Sequence, residues 1–287
     1  MEAIRRRHHA MRQSPNLGQP ECSPRSTLCK QFLCADAHIE SFTFEVVPEF
    51  GPVGPWEHPT ILFPNGTAKL VFEGGEASMA TPNQALLLNG GERFVLRRDT
   101  APFAGDGLAL KPTFLAQITN EPHFNGRTAV VQDVDYVTLR MWYRRAERMS
   151  GTVCGSHQLE LLKAWLLGWV ELLPKPQFVS RCTVERHQVV EGIKEYLAAN
   201  VARDPKLPEL SRVSGLPPYY LARSFLTETG YTLKRFHHGL RMRAAFEALQ
   251  AGRADITEVS ANLGYDEDRH LVRALRLSFG LVPNRFR

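Results

Sequence analysis

The sequence predicts an α+β chain of two domains, with strands in the first half and a compact all-α domain at the end. Three observations predict it. Short apolar runs separated by turn residues fill residues 41–110. Pro174 and Pro176 break the chain after a helical stretch. A pattern of about thirty residues then occurs twice in the last third. The 287 residues suit two domains at roughly 100–200 residues each, and the 43% hydrophobic content suffices for two cores.

Residues 1–37 read as a disordered tail. Arg5, Arg6, Arg7 and Arg12 make its start basic, but no apolar stretch follows, which excludes a secretory signal. Five cysteines in a chain without an export signal point to reduced thiols and a cytoplasmic location. Cys22, Cys29, Cys34 and His38 lack the close cysteine pair of a structural zinc site, so no metal or other cofactor is expected. No apolar run reaches the ~20 residues that span a bilayer, so no membrane partner is expected.

Residues 38–173 form the first domain. Phe42–Val47, Thr60–Phe63, Lys69–Phe72, Ala77–Ala80, Gln84–Leu88, Phe94–Leu96 and Leu108–Leu110 read as strands, divided by turn signals such as Asn65-Gly66 and Asn89-Gly90-Gly91. Many short strands at close spacing predict a sandwich or barrel. Trp56, His58 and Phe63 are candidates to line a small-molecule pocket; a regulatory protein partner is the other expected source of a signal. After the strands, Leu159, Leu162, Leu166, Trp169 and Leu173 alternate at spacings of three and four, a coiled-coil seam. Leu161, Trp165 and Leu172 add a second apolar flank. A helix apolar on two sides packs on its own domain alone or on its own domain and a partner at once, and the seam is the candidate homodimer interface. Residues 174–184 read as a linker.

Residues 185–287 form the second domain, with 16 Lys and Arg against 12 Asp and Glu, most of the chain's net charge of +5. That balance suits a polyanion. Residues Glu185 to Asn200 read as a helix, and the repeat follows. At an offset of 49, Leu207, Glu209, Leu210, Ser211 and Gly215 match Ile256, Glu258, Val259, Ser260 and Gly264. At an offset of 50, Leu221, Arg223, Phe225, Gly230, Arg235 and Phe236 match Leu271, Arg273, Leu275, Gly280, Arg285 and Phe286. Each copy reads as a short helix, a stop at glycine, and a second helix that ends at glycine. That is a helix-turn-helix unit. Its second helix leaves Tyr219, Tyr220 and Arg223, or Asp268, Arg269 and Arg273, free to enter a major groove. Between the copies, Leu233 to Ala251 reads as a long helix with Lys234, Arg235, Arg241 and Arg243 outward. About seven helices are expected in this domain.

Two such units joined by one helix and ending Phe279-Gly280-x-x-Pro283-x-x-Phe286-Arg287 resemble the DNA-binding domain of the AraC/XylS regulators. Leu207-x-x-Leu210-Ser211, Glu228-Thr229-Gly230, Arg241-Met242-Arg243 and Ile256-x-x-Val259-x-x-x-x-Gly264-Tyr265 belong to the same resemblance, which covers about 100 residues. It implies a cupin-like N-terminal domain that senses a signal and dimerises, double-stranded DNA as partner, recruitment of RNA polymerase, and activation of transcription. It implies base reading by Tyr219, Tyr220, Ala222 and Arg223 in the first unit and Asp268, Arg269, His270 and Arg273 in the second. Asp266-Glu267-Asp268 stand where the family usually has small polar residues, so the second unit is expected to add less phosphate affinity.

Two enzyme readings compete with this one and are weaker. A cupin-type metalloenzyme fused to a DNA-binding domain requires three or four metal ligands, and the strand region lacks a His-x-His pair. A methyl-accepting repair protein requires a metal-bound cysteine cluster that Cys22, Cys29 and Cys34 do not match. The chain is therefore not expected to be an enzyme.

Overall fold

Apolar side chains that alternate between two faces build two antiparallel sheets in the first half of the chain. The computed structural model describes residues 28–46, 52–97, 103–148, 156–173, 181–252 and 254–280. The larger sheet runs, in spatial order, β1 (Leu28–Ala35), β2 (Ile39–Val46), β8 (Phe103–Leu110), β3 (Thr60–Pro64), β6 (Gln84–Leu88) and β9 (Thr128–Val130). The smaller has β4 (Ala68–Phe72) between β5 (Ala77–Ala80) and β7 (Phe94–Leu96). Helices α1 (Pro112–Thr119), α2 (Asp133–Arg148) and α3 (Ser156–Trp169) complete the first domain. The second holds α4 (Arg181–Ala199), α5 (Leu207–Ser214), α6 (Pro218–Thr229), α7 (Leu233–Gln250), α8 (Ile256–Asn262) and α9 (Asp268–Phe279). It thus has six helices among the described residues where about seven were expected.

The first domain has three layers, and the large sheet is the middle one. Leu62, Leu86, Leu88, Phe42 and Phe44 point toward the small sheet and pack with Trp56, Leu70, Phe72, Phe94 and Phe103. Ile61, Phe63, Ala85, Leu87 and Leu108 point the other way, toward Tyr136, Tyr143, Leu162, Leu166 and Trp169 of the helices. Strand β6 is buried at every position for that reason.

The cupin-like barrel and the boundaries of the tail and of the linker are corrected here. The sheets stay separate, so the strands form a sandwich rather than a closed barrel. Strand β5 takes its outward cover from α4, where the Glu191 carboxylate accepts from the Met79 N–H. The tail does not extend to residue 37, because Leu28–Ala35 is strand β1, paired to β2 along its length. Phe32 lies edge-on to Phe42, and Lys30 sits 4.4 Å from the Trp56 ring centroid, so β1 covers an aromatic face. Residues 1–27 of the expected tail, with Cys22, lie outside the described residues, as do residues 174–180 of the expected linker. Its last residues, 181–184, are helical.

The expected dimer seam is consumed inside the chain. Leu159, Leu162, Leu166 and Trp169 are buried, and Leu173 packs against the same cluster. Trp169 packs edge-on against Phe63 and donates its Nε1–H to Val130 O at 3.0 Å. A heptad stripe states only that something apolar must cover it, and here the large sheet does. The residues expected to line one pocket are likewise apart. Trp56 is core between the sheets, Phe63 faces the helices, and His58 sits half-buried with Nε2 2.6 Å from Lys111 Nζ.

The two domains share an extensive polar interface. Arg243 of α7 is fully buried. Its guanidinium donates to Asn83 Oδ1, to Val131 O and, at 3.1 Å, to Asp133 Oδ1 of the first domain. Asn83, also buried, donates to Phe236 O at 2.7 Å. Gly239 of α7 makes this approach possible, because a Cβ there would lie 2.6 Å from Asn83 Oδ1. One turn along α7, Glu247 accepts from Arg140 Nε and Tyr136 Oη, both at 2.8 Å. Arg140 also pairs with Asp106 of β8. Burial opposes the Arg140 charge, but Asp106 and Glu247 outweigh it and hold the guanidinium well above its ordinary value. The expected outward face of α7 is corrected accordingly: Lys234 and Arg235 are exposed, Arg241 is half-buried and Arg243 is not exposed at all.

Candidate nucleic-acid interface

Each helix-turn-helix unit is built from one apolar row and two glycine stops. In the first unit, α5 ends at Gly215 with φ +71° and α6 ends at Gly230 with φ +73°. Leu210 anchors α5, while Leu221, Phe225 and Thr229 are the buried row of α6. Phe225 meets Phe236 of α7 edge-on at 5.2 Å. In the second unit, Asp255 caps α8 by accepting from Glu258 N at 2.8 Å. Gly264 has φ +69°, and a Cβ on it would lie 1.9 Å from Ala202 O, so only glycine fits between α8 and the chain after α4. Leu271 and Leu275 anchor α9, which ends at Gly280.

The faces opposite these rows are open. Tyr219 and Tyr220 are 68% and 61% exposed and lie edge-on to each other at 5.7 Å. Arg223 is exposed beside them, with Ala222 half-buried. In α9, Arg269, His270 and Arg273 are exposed and Asp268 is half-buried. The structure therefore places all eight sequence-selected residues on two helices of matching position. Arg212 of α5, Lys234 and Arg235 of α7 and Arg276 of α9 are exposed cations of the same domain. Lys234 and Arg235 stand in the first turn of α7, whose N-cap Thr232 accepts from Arg235 N.

The second face differs in electrostatics. Glu267 grips Arg269 through two contacts, Nε to Oε2 at 2.6 Å and Nη2 to Oε1 at 2.7 Å. Asp268 accepts from Thr257 Oγ1 at 2.6 Å. One candidate cation of the second unit is thus already paired, whereas Arg223 of the first unit lies next to no acidic residue in sequence.

A helix-turn-helix domain profile matches residues 210–287. The regulatory protein SoxS of Salmonella typhimurium is 23% identical over 104 residues, which cover 36% of this chain and 97% of SoxS. The C-terminal domain is thus similar to the helix-turn-helix domains of transcription regulators. Among solved structures, a probable AraC family transcriptional regulator from Rhodopseudomonas palustris is 24% identical, with a TM-score of 0.31, covering 34% of this chain and 94% of its own. ToxT of Vibrio cholerae with a bound unsaturated fatty acid is 11% identical, with a TM-score of 0.33, covering 88% of this chain and 95% of its own. The helix-turn-helix domain begins within α5 by the profile and with α4 by its packing: Val190, Ile193 and Leu197 of α4 share one core with Leu210, Leu221, Phe225 and Phe236.

Sequence reasoning missed the residues that join this domain to the first: Asn83, Arg140, His187, Glu247 and the inward turn of Arg243. Asn83-Gln84 at the head of an otherwise apolar strand was the available signal. Among the described residues, no group of three or more His, Cys, Asp or Glu is placed to hold a metal, and no helix is long and apolar enough to cross a membrane.

Proposed function

We propose that this transcription regulator activates genes by reading two successive major-groove faces of double-stranded DNA. Helix α6 enters the first face and α9 the second, ~34 Å apart on one side of the duplex. Arg223 and Arg273 take guanine edges, with Tyr219, Tyr220, Ala222, Asp268, Arg269 and His270 beside them. Lys234, Arg235 and Arg212 contact phosphates. The observation that carries this reading is the duplicated open face: the matching helices bury one row each and expose the selected side chains. Bound at a promoter, the protein recruits RNA polymerase.

The N-terminal domain acts as the regulatory unit and dimerises. With the heptad seam buried, the surface we assign to dimerisation is the opposite flank of α3, where Leu161 and Leu167 are exposed beside Ala164 and Gly168. The signal is carried by a regulatory protein rather than by a small molecule enclosed between the sheets, a reading favoured by the aromatic filling of that space.

The test is capture of sheared genomic DNA on the full-length protein at about 150 mM salt, followed by sequencing. A few enriched sites sharing two half-sites about one helical turn apart are expected. Recovery no different from random duplex overturns the reading.

A further inference from the structure

The interface between the domains contains two kinds of contact. Where α7 meets β9 and α2, guanidinium groups meet carboxylates, amides and backbone carbonyls. Where α4 lies along the hairpin β4–β5, the contacts converge on an imidazole. Lys69 of β4 pairs with Glu195, the Met79 N–H of β5 meets Glu191, and His187 stands at the hairpin's turn. Positions 187, 191 and 195 form one row along α4 at a spacing of four, so a single helix face holds the hairpin.

His187 lies between carboxylates of three elements. Its Nε2 is 3.8 Å from Glu76 Oε1, in the turn between β4 and β5. Its Nδ1 is 3.6 Å from Glu228 Oε2, in the last turn of α6. Glu191 lies one helical turn further along α4. Each facing carboxylate already has one cationic partner. Arg186 Nε holds Glu228 at 2.9 Å, Arg127 Nη2 lies 3.4 Å from Glu76, and Lys194 Nζ holds Glu191 at 2.9 Å. The side chain of His187 is 29% exposed, and its Nε2 is buried without a hydrogen bond. A neutral imidazole has a single N–H and can serve only one of the two flanking carboxylates; the imidazolium has two and carries the charge both attract.

We propose that His187 is a proton-operated clasp between the first helix-turn-helix unit and the β4–β5 hairpin of the N-terminal domain. Protonated, it bridges Glu76 and Glu228 across the domain boundary. Neutral, it leaves those two carboxylates facing an uncharged ring, and the hairpin corner loosens. Arg243 and Arg140 keep the rest of the interface closed. The Glu228 carboxylate beside Nδ1 is the main influence raising the His187 affinity for its proton, burial opposes it, and the charges of Glu191 and Glu76 add to the rise. A folded-state value above the ordinary ~6.5 places the full stabilisation below ~6.5 and its loss as pH climbs through the raised value. The inference depends on how the domains dock and not on which DNA is read.

Hydrogen–deuterium exchange of the full chain near pH 6 and near pH 8, corrected for intrinsic rates, tests it. Peptides from residues 68–80 and 185–199 are expected to lose protection several-fold on going to the higher pH, while peptides from residues 133–145 and 233–250 hold theirs. His187→Gln is expected to remove the difference, leaving the weaker protection at both values. Equal loss in all four regions, no loss in any, or a parental pH response in His187→Gln overturns the clasp. Glu76→Gln gives a second reading from the opposite domain. It is expected to lower the imidazole titration midpoint of His187 followed by NMR, and an unmoved midpoint shows that no proton linkage crosses the boundary.

Discussion

Replacing Arg243 by Met removes the central contact between the domains while keeping the length of the side chain. The cost follows from what each partner has left. Val131 O retains the Tyr231 hydroxyl, which donates to it at 2.7 Å. The Asp133 side chain is 27% exposed, so water reaches part of it. Asn83 Oδ1 is buried, and Arg243 is the donor the structure gives it. One orphaned buried amide oxygen costs about 1–3 kcal/mol. A carboxylate that loses its cation but keeps some hydration adds less than the 3–5 kcal/mol of a fully buried broken pair, for a total of about 3 kcal/mol. The loss falls on docking and not on either core. All four tryptophans, Trp56, Trp142, Trp165 and Trp169, belong to the N-terminal domain, so their fluorescence reports on it alone, while far-UV circular dichroism reports chiefly on the helices. In urea, the two probes are expected to share one transition in the parent and to separate in Arg243→Met. Exposed Arg235→Met serves as the control. A variant within about 0.5 kcal/mol of the parent, as for an ordinary surface change, with coincident probes, refutes the reasoning.

Three further outcomes follow from the geometry. Gly264→Ala is expected to unfold the C-terminal domain at ordinary temperature, since its Cβ collides with Ala202 O, whereas Gly215→Ala, with open space around it, costs only the left-handed penalty of about 1–2 kcal/mol; melting curves of the two separate these effects. Leu162→Glu is expected to lose more than about 3 kcal/mol by burying a carboxylate in the core, while exposed Leu161→Glu stays folded and sediments as a monomer; a folded Leu162→Glu or a dimeric Leu161→Glu contradicts the assignments. Changing Asp266, Glu267 and Asp268 together to Ser frees Arg269 and is expected to tighten DNA binding and steepen its salt dependence by about one phosphate contact; an unaltered salt slope removes the argument for a weakened second unit.

The duplicated C-terminal units were legible because glycine at a helix end and apolar residues at helical spacing are local demands. Gly215, Gly230, Gly264 and Gly280 all adopt the left-handed conformation expected of them. The middle strands were legible for a similar reason: β6 is apolar from Ala85 to Leu88 because it is covered on both sides. The first and last strands were not. Leu28–Ala35 mixes Lys30 and Gln31 with its apolar residues, and Thr128–Val130 is three residues long. The destinations of the apolar stripe on α3 and of Arg243 were hidden for a different reason. Periodicity shows that Leu159, Leu162, Leu166 and Trp169 need cover but not which surface provides it. It also assigns every arginine to solvent, although a guanidinium that finds Asn83, Val131 and Asp133 is satisfied in the interior.

Recombination between regulators of this architecture meets a constraint at α7. Its inward side carries Arg243 and Glu247, which are matched to Asn83, Asp133, Arg140 and Tyr136 on the other half of the chain. A chimera that grafts a foreign N-terminal domain onto this helix-turn-helix domain inherits a guanidinium and a carboxylate without their counterparts. Such hybrids should work only when the donor supplies an equivalent amide, acid and arginine, or when positions 243 and 247 are exchanged along with the graft.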